Sequence, residues 1–467
     1  MSTFKTLFMG VGFAAIATLS ACSSSSNASL TQSGLNPADF DSTVLGKKTE
    51  LVTLKNANGM EVCLTNYGGR VVSISVPDKD GKPTDVVLGY DNIHQYADTL
   101  NSPSDYGSSV GRYANRIKDA KLSLAGSTYQ LKANDNGNCL HGGGATGWLN
   151  QVYDITEKND SSVTFTINAK DGENGFPGNV TATAKYTVKS DNTLDIEFGA
   201  TTDKETVVNM TNHSYFNLNG DPSKEGFDQV MYINADKFTP ADSLYIPTGE
   251  IKSVEGTPMD FRTPAEIGKK VDYKFDQIKN ATGYDHNWCL NTYKNGKGDD
   301  KTVCASLYSP KSGILLEVFT NEPGIQVYTG NFQGTGIACK HGIKYPKHVS
   351  VCFESGALIG VPLFFLLKGS IGTSPAAMVM MVVMIPAMLF AMYEKNGQPL
   401  EVVIRNIYRV CFQRPKQRPY KTNNFYAVLE RQNQLDREVY QIVRKEKADP
   451  RRTKTDRSRH RKSEPNG

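Results

Sequence analysis

The chain lacks four things that would each point to a class of protein. It has no CxxC spacing, no phosphate-cradling glycine loop running into a helix, no internal repeat, and no persistent helical period over its larger part. Without CxxC pairs a zinc cage is not expected. With Cys22 set aside, Cys63, Cys139, Cys289, Cys304, Cys339, Cys352 and Cys411 remain, an odd number that does not make a full disulfide framework. Most of these read as small buried residues, with one or two disulfides left open. The missing glycine loop removes nucleotide chemistry, and no redox, nucleotide or metal cofactor is expected. The missing repeat removes solenoids and propellers. Strong net charge is also absent, at +4, so charge alone names no partner. That charge is uneven, however: residues 444–467 hold ten Lys/Arg against four acids. A basic tail can meet nucleic acid or an anionic membrane. Its lack of aromatics favours a solvated, disordered end, and no nucleic-acid partner is expected.

What is present divides the 467 residues into unlike parts. The start, "MSTFKTLFMGVGFAAIATLSAC", has an early Lys, an apolar run and small residues, the pattern of a signal peptide over residues 1–22. Its end, "LSAC", resembles a bacterial lipoprotein cleavage box, which makes Cys22 the lipidated residue. The expected location is the cell envelope, with the protein held to a membrane through that lipid. An ordinary signal peptide with a chance Cys is the other reading. Residues 23–46, opening on "SSSSNAS", read as a flexible tether.

From about residue 47 to 355 the texture is uniform. Runs such as "GGRVVSISVP", "SSVTFTINA", "VTATAKYTV" and "GIQVYTGNF" alternate apolar and polar residues between turn signals. With 41 Gly, 22 Tyr and 20 Phe in the chain, a mainly β, loop-rich domain is expected, built as a large antiparallel sandwich or barrel. After Ser355 the texture changes. Residues 356–395 are apolar and transmembrane-like, and Ala376–Tyr393 is long and uncharged enough to cross a bilayer. Residues 396–443 read as basic amphipathic helices.

The chemistry-bearing residues lie in the β-rich part. "NCLHGG" sets His141 beside two glycines, "NMTNHSYFNLNG" sets His213 among amides and a Ser, and "TGYDHNW" sets His286 next to Asp285. "GRYANRI" adds Asn115 and Arg116, "TPMDFR" adds Asp260, and "VCFES" adds Glu354. Carboxylates and amides suit sugar hydroxyls, and aromatic rings suit a sugar face. Singly, a lone His is more often a hydrogen-bonded structural residue and an Asp before Arg more often a turn or surface pair; together they favour a sugar site. Two other readings use the same residues. Asp260 and Glu354 could be the carboxylate pair of a glycoside hydrolase, or the site could bind sugar without turnover.

The ordered motifs "GRYANRI", "CLHGG", "TNHSYFNL", "GTPMDF", "GYDHNW", "NEPGIQVYTGNF" and "VCFES" resemble those of the aldose 1-epimerases, the galactose mutarotase family, over about residues 47–355. The resemblance implies a β-supersandwich and interconversion of the α and β anomers of hexoses such as galactose and glucose. It implies Glu354 as base and His213 as acid. It implies Asn115, Arg116, His141 and Asp260 as groups holding the sugar, with Glu322 of "TNEPG" beside them, and places His286 in a structural motif. A small-molecule hexose is then the partner.

Residues 356–432, with "QRPYKTNNFYAVLE", resemble PrgI-type membrane proteins of conjugative elements, part of type IV secretion machinery. The abrupt change at 355 reads as a fusion. The mutarotase family continues past its catalytic Glu with strands that finish the sandwich. A chain that departs from it here is expected to be poorly soluble and weakened in activity.

Overall fold

The computed structural model describes residues 29–356, together with the backbone of Glu394–Lys395 paired antiparallel with Gln398–Pro399. That short pair belongs to a second compact unit, Pro386–Gly467; everything below concerns the first, Met1–Ile385. The signal peptide, Cys22, Cys411, the apolar segments and the basic tail lie outside the described residues. Among the described residues no helix is long and apolar enough to cross a membrane.

The described part is almost wholly antiparallel β-structure. Strand Val180–Val188 shows why: Val180, Ala182, Ala184, Tyr186 and Val188 are buried while the Thr and Lys residues between them are not. Period-two alternation puts one face of a strand on the core. It pairs with Ser162–Ala169 and Leu194–Thr202 in a four-stranded meander opened by Asp154–Lys158. A second meander joins Leu51–Lys55, Glu61–Thr65, Arg70–Pro77 and Pro83–Asp85. A third sheet has the order Ala265–Glu266, Val230–Ile233, Ala305–Tyr308, Leu315–Val318. The apolar faces of these sheets share one core with a six-stranded sheet: Val163, Phe165, Tyr186, Met231, Leu307, Trp288, Ile325, Val327 and Phe353 lie in a single buried cluster. Helices are limited to short pieces such as Ile93–Ala97 and Asp276–Ala281.

The tether expected over residues 23–46 is corrected over much of its length. Leu35 and Phe40 are fully buried, and Phe40 sits 6.4 Å from the Tyr96 ring. The Gln32 amide donates to Glu61 Oε1 at 2.6 Å, Ser33 Oγ to Ser73 Oγ at 2.9 Å, and Ser42–Val44 pairs with Lys47–Thr49. Leu30, Leu35 and Phe40 recur at intervals of five, neither a helical nor a strand period, so the packing was invisible in the sequence. All six cysteines among the described residues are free; every one except half-buried Cys289 is buried.

Candidate active site

The six-stranded sheet has the order Tyr215–Phe216, Val351–Gly356, Gly324–Tyr328, Asp285–Cys289, Lys237–Thr239, Lys252–Ser253. Its register decides which side chains meet. Glu354 lies opposite Gln326, and Gln326 opposite Asn287; Cys352 lies opposite Tyr328, Tyr328 opposite Asp285, and Tyr215 opposite Cys352. Directly opposed residues share a face, as do residues two apart. One face therefore carries Glu354, Gln326, Asp285, Tyr328 and Tyr215 together. The other carries Phe353, Val327, His286, Ile325 and Trp288 into the core.

Over the polar face lies a cleft of about 300 Å³, lined by Asp105, Asn115, Arg116, His141, His213, Tyr215, Asp285, Tyr328 and Glu354, with Tyr106, Phe332 and Gln333 among the groups around it. The Asn115 and His141 backbones both have positive φ, at 61° and 50°. The His141 amide donates to the Asn115 carbonyl at 3.1 Å. In return the Asn115 amide donates to His141 Nδ1 at 3.2 Å. Gly142, at φ 76°, allows this turn: a Cβ there would stand 2.2 Å from the Gly111 carbonyl oxygen. Since Nδ1 accepts, the proton of neutral His141 sits on Nε2. Burial pushes this ring down to about 4, so it is neutral and a donor at pH 7. Arg116 donates from Nε to Asp135 Oδ2 at 2.7 Å, and its guanidinium lies 4.8 Å over the Tyr245 ring. The guanidinium is thereby fixed at the cleft wall.

His213 is stacked on Tyr215 at 4.9 Å and meets His141 edge-on at 5.4 Å. Its Nε2 is 3.3 Å from Glu354 Oε1, both side chains being almost completely buried. Burial is the largest influence on Glu354 and pushes its carboxyl up to about 7; His213 pulls it down, while Asp285 and Asp105 raise it further. Asp285 accepts from Gln326 Nε2 at 2.7 Å; its own carboxyl is raised by burial, against Arg116 and that hydrogen bond. Ligand atoms of Asp105, His141 and His213 lie within 4.8 Å of one another, a set that could in principle hold a cation. Binding one through His141 Nε2 would put a proton on Nδ1, facing the Asn115 N–H, so the site is shaped for donation and not for ligation.

Five of the residues singled out in the sequence thus meet in the cleft: Glu354, His213, His141, Arg116 and Asn115. Two do not. Asp260 is taken up by Arg262, which donates from Nε at 2.9 Å and from Nη2 at 2.8 Å, away from the cleft lining. Glu322 precedes the strand Gly324–Tyr328 at the end remote from Tyr328, where burial raises its carboxyl beside Tyr293. Asp285, not singled out for the site in the sequence, lines the cleft instead, held by Gln326 from the same sheet face. His286 is on the core face, its Nδ1 accepting from the Asp285 amide at 3.1 Å, in keeping with a structural role. Alternation within "DHNWC" carried the missing signal: if His286 and Trp288 point to the core, Asp285 and Asn287 point away.

The chain matches the family model for aldose 1-epimerase over residues 50–362, and that for PrgI family proteins over 350–420. It is 37% identical over 318 residues to the galactose mutarotase of Bos taurus, covering 68% of this chain and 88% of that protein. The aldose 1-epimerase of Escherichia coli K12 is 38% identical over 289 residues, covering 62% of this chain and 81% of that one. In three dimensions it resembles a GalM/aldose epimerase homologue from C. elegans, with a TM-score of 0.59 and 29% identity over 66% of this chain and 89% of that one. A galactose 1-epimerase from Lactobacillus acidophilus gives a TM-score of 0.58 and 29% identity over 68% and 88%. The sheet-borne cleft and these likenesses agree: over its β-structured part the chain belongs to the aldose 1-epimerase family.

Proposed function

We infer that the protein interconverts the α and β anomers of aldohexoses such as galactose or glucose by general acid and base catalysis. One observation carries the reading: a buried carboxylate and imidazole, Glu354 and His213, side by side at 3.3 Å in a polar cleft. Mutarotation removes the proton of the C1 hydroxyl and delivers one to the ring oxygen. Both oxygens are bonded to C1, so base and acid must stand next to each other. Glu354 takes the O1 proton and His213 protonates the ring oxygen as the C1–O bond breaks. The open aldehyde turns about C1–C2. It recloses on the other face with the roles reversed, Glu354 returning the proton and His213 accepting one. A carboxyl raised to about 7 can do both near neutrality. The Arg116 guanidinium, the His141 Nε2–H, Asp285 and Gln326 hold the hydroxyls, and Tyr215, Tyr328 and Phe332 offer aromatic surface.

The hydrolase reading loses its acid pair, because Asp260 is bound to Arg262 away from the cleft. A retaining glycosidase also needs its carboxyl groups about 5 Å apart across the sugar, where this site sets an imidazole against the carboxylate. Polarimetry of freshly dissolved α-D-galactose and α-D-glucose tests the inference. Equilibration faster than the buffer rate, lost on Glu354→Gln, is expected. Glycoside cleavage without anomer exchange would sink it.

A further inference from the structure

We propose that Asp105 is a positioning residue for this reaction, supplying the counter-charge that holds His213 in its protonated, proton-donating form. The proposal rests on the mutarotase reading and adds a carboxylate to it. His213 uses Nε2 on Glu354, while its Nδ1 is buried with no hydrogen-bond partner. An imidazolium has two N–H donors, and a buried donor without an acceptor is costly. Asp105 is the cleft carboxylate grouped with the ring nitrogens of His141 and His213, all within 4.8 Å of one another. A charge-assisted hydrogen bond to that ring would form at about 2.8 Å, so Asp105 must draw closer than the grouping requires for it to be made.

The backbone delivers Asp105 to this place. Its loop is bonded to His213 itself: the Gly107 amide donates to the His213 carbonyl and the His213 amide to the Ser108 carbonyl, each at 2.9 Å. Ser108 donates to the Asp105 carbonyl from its amide at 3.0 Å and from Oγ at 2.9 Å. On either side, the fully buried Arg70 donates from Nη1 to the carbonyls of Ser104, at 3.1 Å, and Tyr106, at 3.0 Å. A second arm, Nη2, reaches Leu149 and Asn150 in the segment that follows His141. One buried guanidinium thus fixes the loop bearing Asp105 against the segment bearing His141. The charge of Asp105 is also felt in the cleft, where it raises the proton affinity of both His141 and Glu354.

The test compares wild type with Asp105→Asn by polarimetry over pH 5–9, with Glu354→Gln as the inactive control. His213 is faced by Glu354 and Asp285 from the sheet, by Tyr215 and Tyr328, by His141, and by Asp105 from its loop. Removing one negative charge from this set makes every proton there easier to lose. We expect kcat to fall about 10- to 100-fold, KM to stay within about threefold, and both limbs of the pH profile to move to lower pH. Asp105→Glu, which keeps the charge, should recover part of kcat. Should Asp105→Asn fail to fold, Asp105→Ser and an NMR titration of the His213 ring in place of kinetics serve equally: the ring must lose its proton at lower pH than in wild type. Unchanged kcat and pH limbs would overturn the proposal. So would a raised KM at unchanged kcat, which would make Asp105 a hydroxyl-binding group. Wild-type protein without mutarotation would instead refute the function, a separate failure.

Discussion

Glu354→Gln should abolish activity and make the protein more stable at alkaline pH. The carboxyl is buried and its proton affinity is raised from 4.5 to about 7. A group held more tightly protonated in the fold than in the unfolded chain contributes stability that is complete below pH 4.5 and lost as pH rises to about 7. The gap is worth roughly 3 kcal/mol at 1.36 kcal/mol for each pH unit. This value already contains the favourable contact with His213. Gln keeps the shape and carries no charge, so above pH 7.5 it escapes that cost. The expected gain at pH 8 is up to about 3 kcal/mol, or about 4 °C in Tm for a domain of this size, and none at pH 4.5. Activity moves the other way: loss of a general base costs about 10²- to 10⁴-fold. Wild-type kcat/KM should climb with pH through a limb near 7, where Glu354 ionises. Scanning calorimetry at pH 4.5 and 8, beside polarimetry, decides the matter. A variant that keeps activity within threefold of wild type, or is no more stable at pH 8, would refute the reasoning.

Asp285→Asn should lower kcat/KM about 10- to 100-fold, because it removes a charged hydrogen-bonding group that Gln326 holds in the cleft. Asp260→Asn should change kcat/KM by less than about threefold, since Asp260 serves Arg262; equal losses from the two would return Asp260 to the site. Lys340→Met should destabilise the protein by about 3–5 kcal/mol in urea unfolding, because Lys340 Nζ bonds Asp85 at 2.6 Å and the carbonyls of Val72 and Val87, and Asp85 would be left an unpaired, nearly buried charge. A loss below 1 kcal/mol would mean that water reaches Asp85.

The parts of the site legible in the sequence are those whose chemistry is local. His141 beside Gly142, His213 among amides, and the Asn115–Arg116 pair each sit in a short motif whose turn also places the side chain. Asp285 and Gln326 were only half legible: alternation groups Asp285 with Asn287 and His286 with Trp288, but does not by itself say which pair is wet. That is settled by the pairing Asn287 to Gln326 to Glu354, between residues far apart in the chain. A single one-residue slip would have turned His286 to the sugar and Asp285 to the core. Asp260 and Glu322 looked eligible because an acid in a turn carries no mark of where the turn lies. The β class itself was legible throughout, since period-two alternation is written in each strand separately.

The same register bears on the change of texture after residue 355. The two family models overlap over residues 350–362, and the strand Val351–Gly356 lies inside the overlap. Its ladder to Gly324–Tyr328 is already complete there, running from Cys352 with Tyr328 to Gly356 with Gly324. Glu354 sits within that ladder, and among the described residues those lining the cleft run from Tyr90 to Glu354. The position of the base is therefore set by hydrogen bonds that close before residue 357. Among the described residues, the geometry of the acid and base is thus carried by segments that lie upstream of the change.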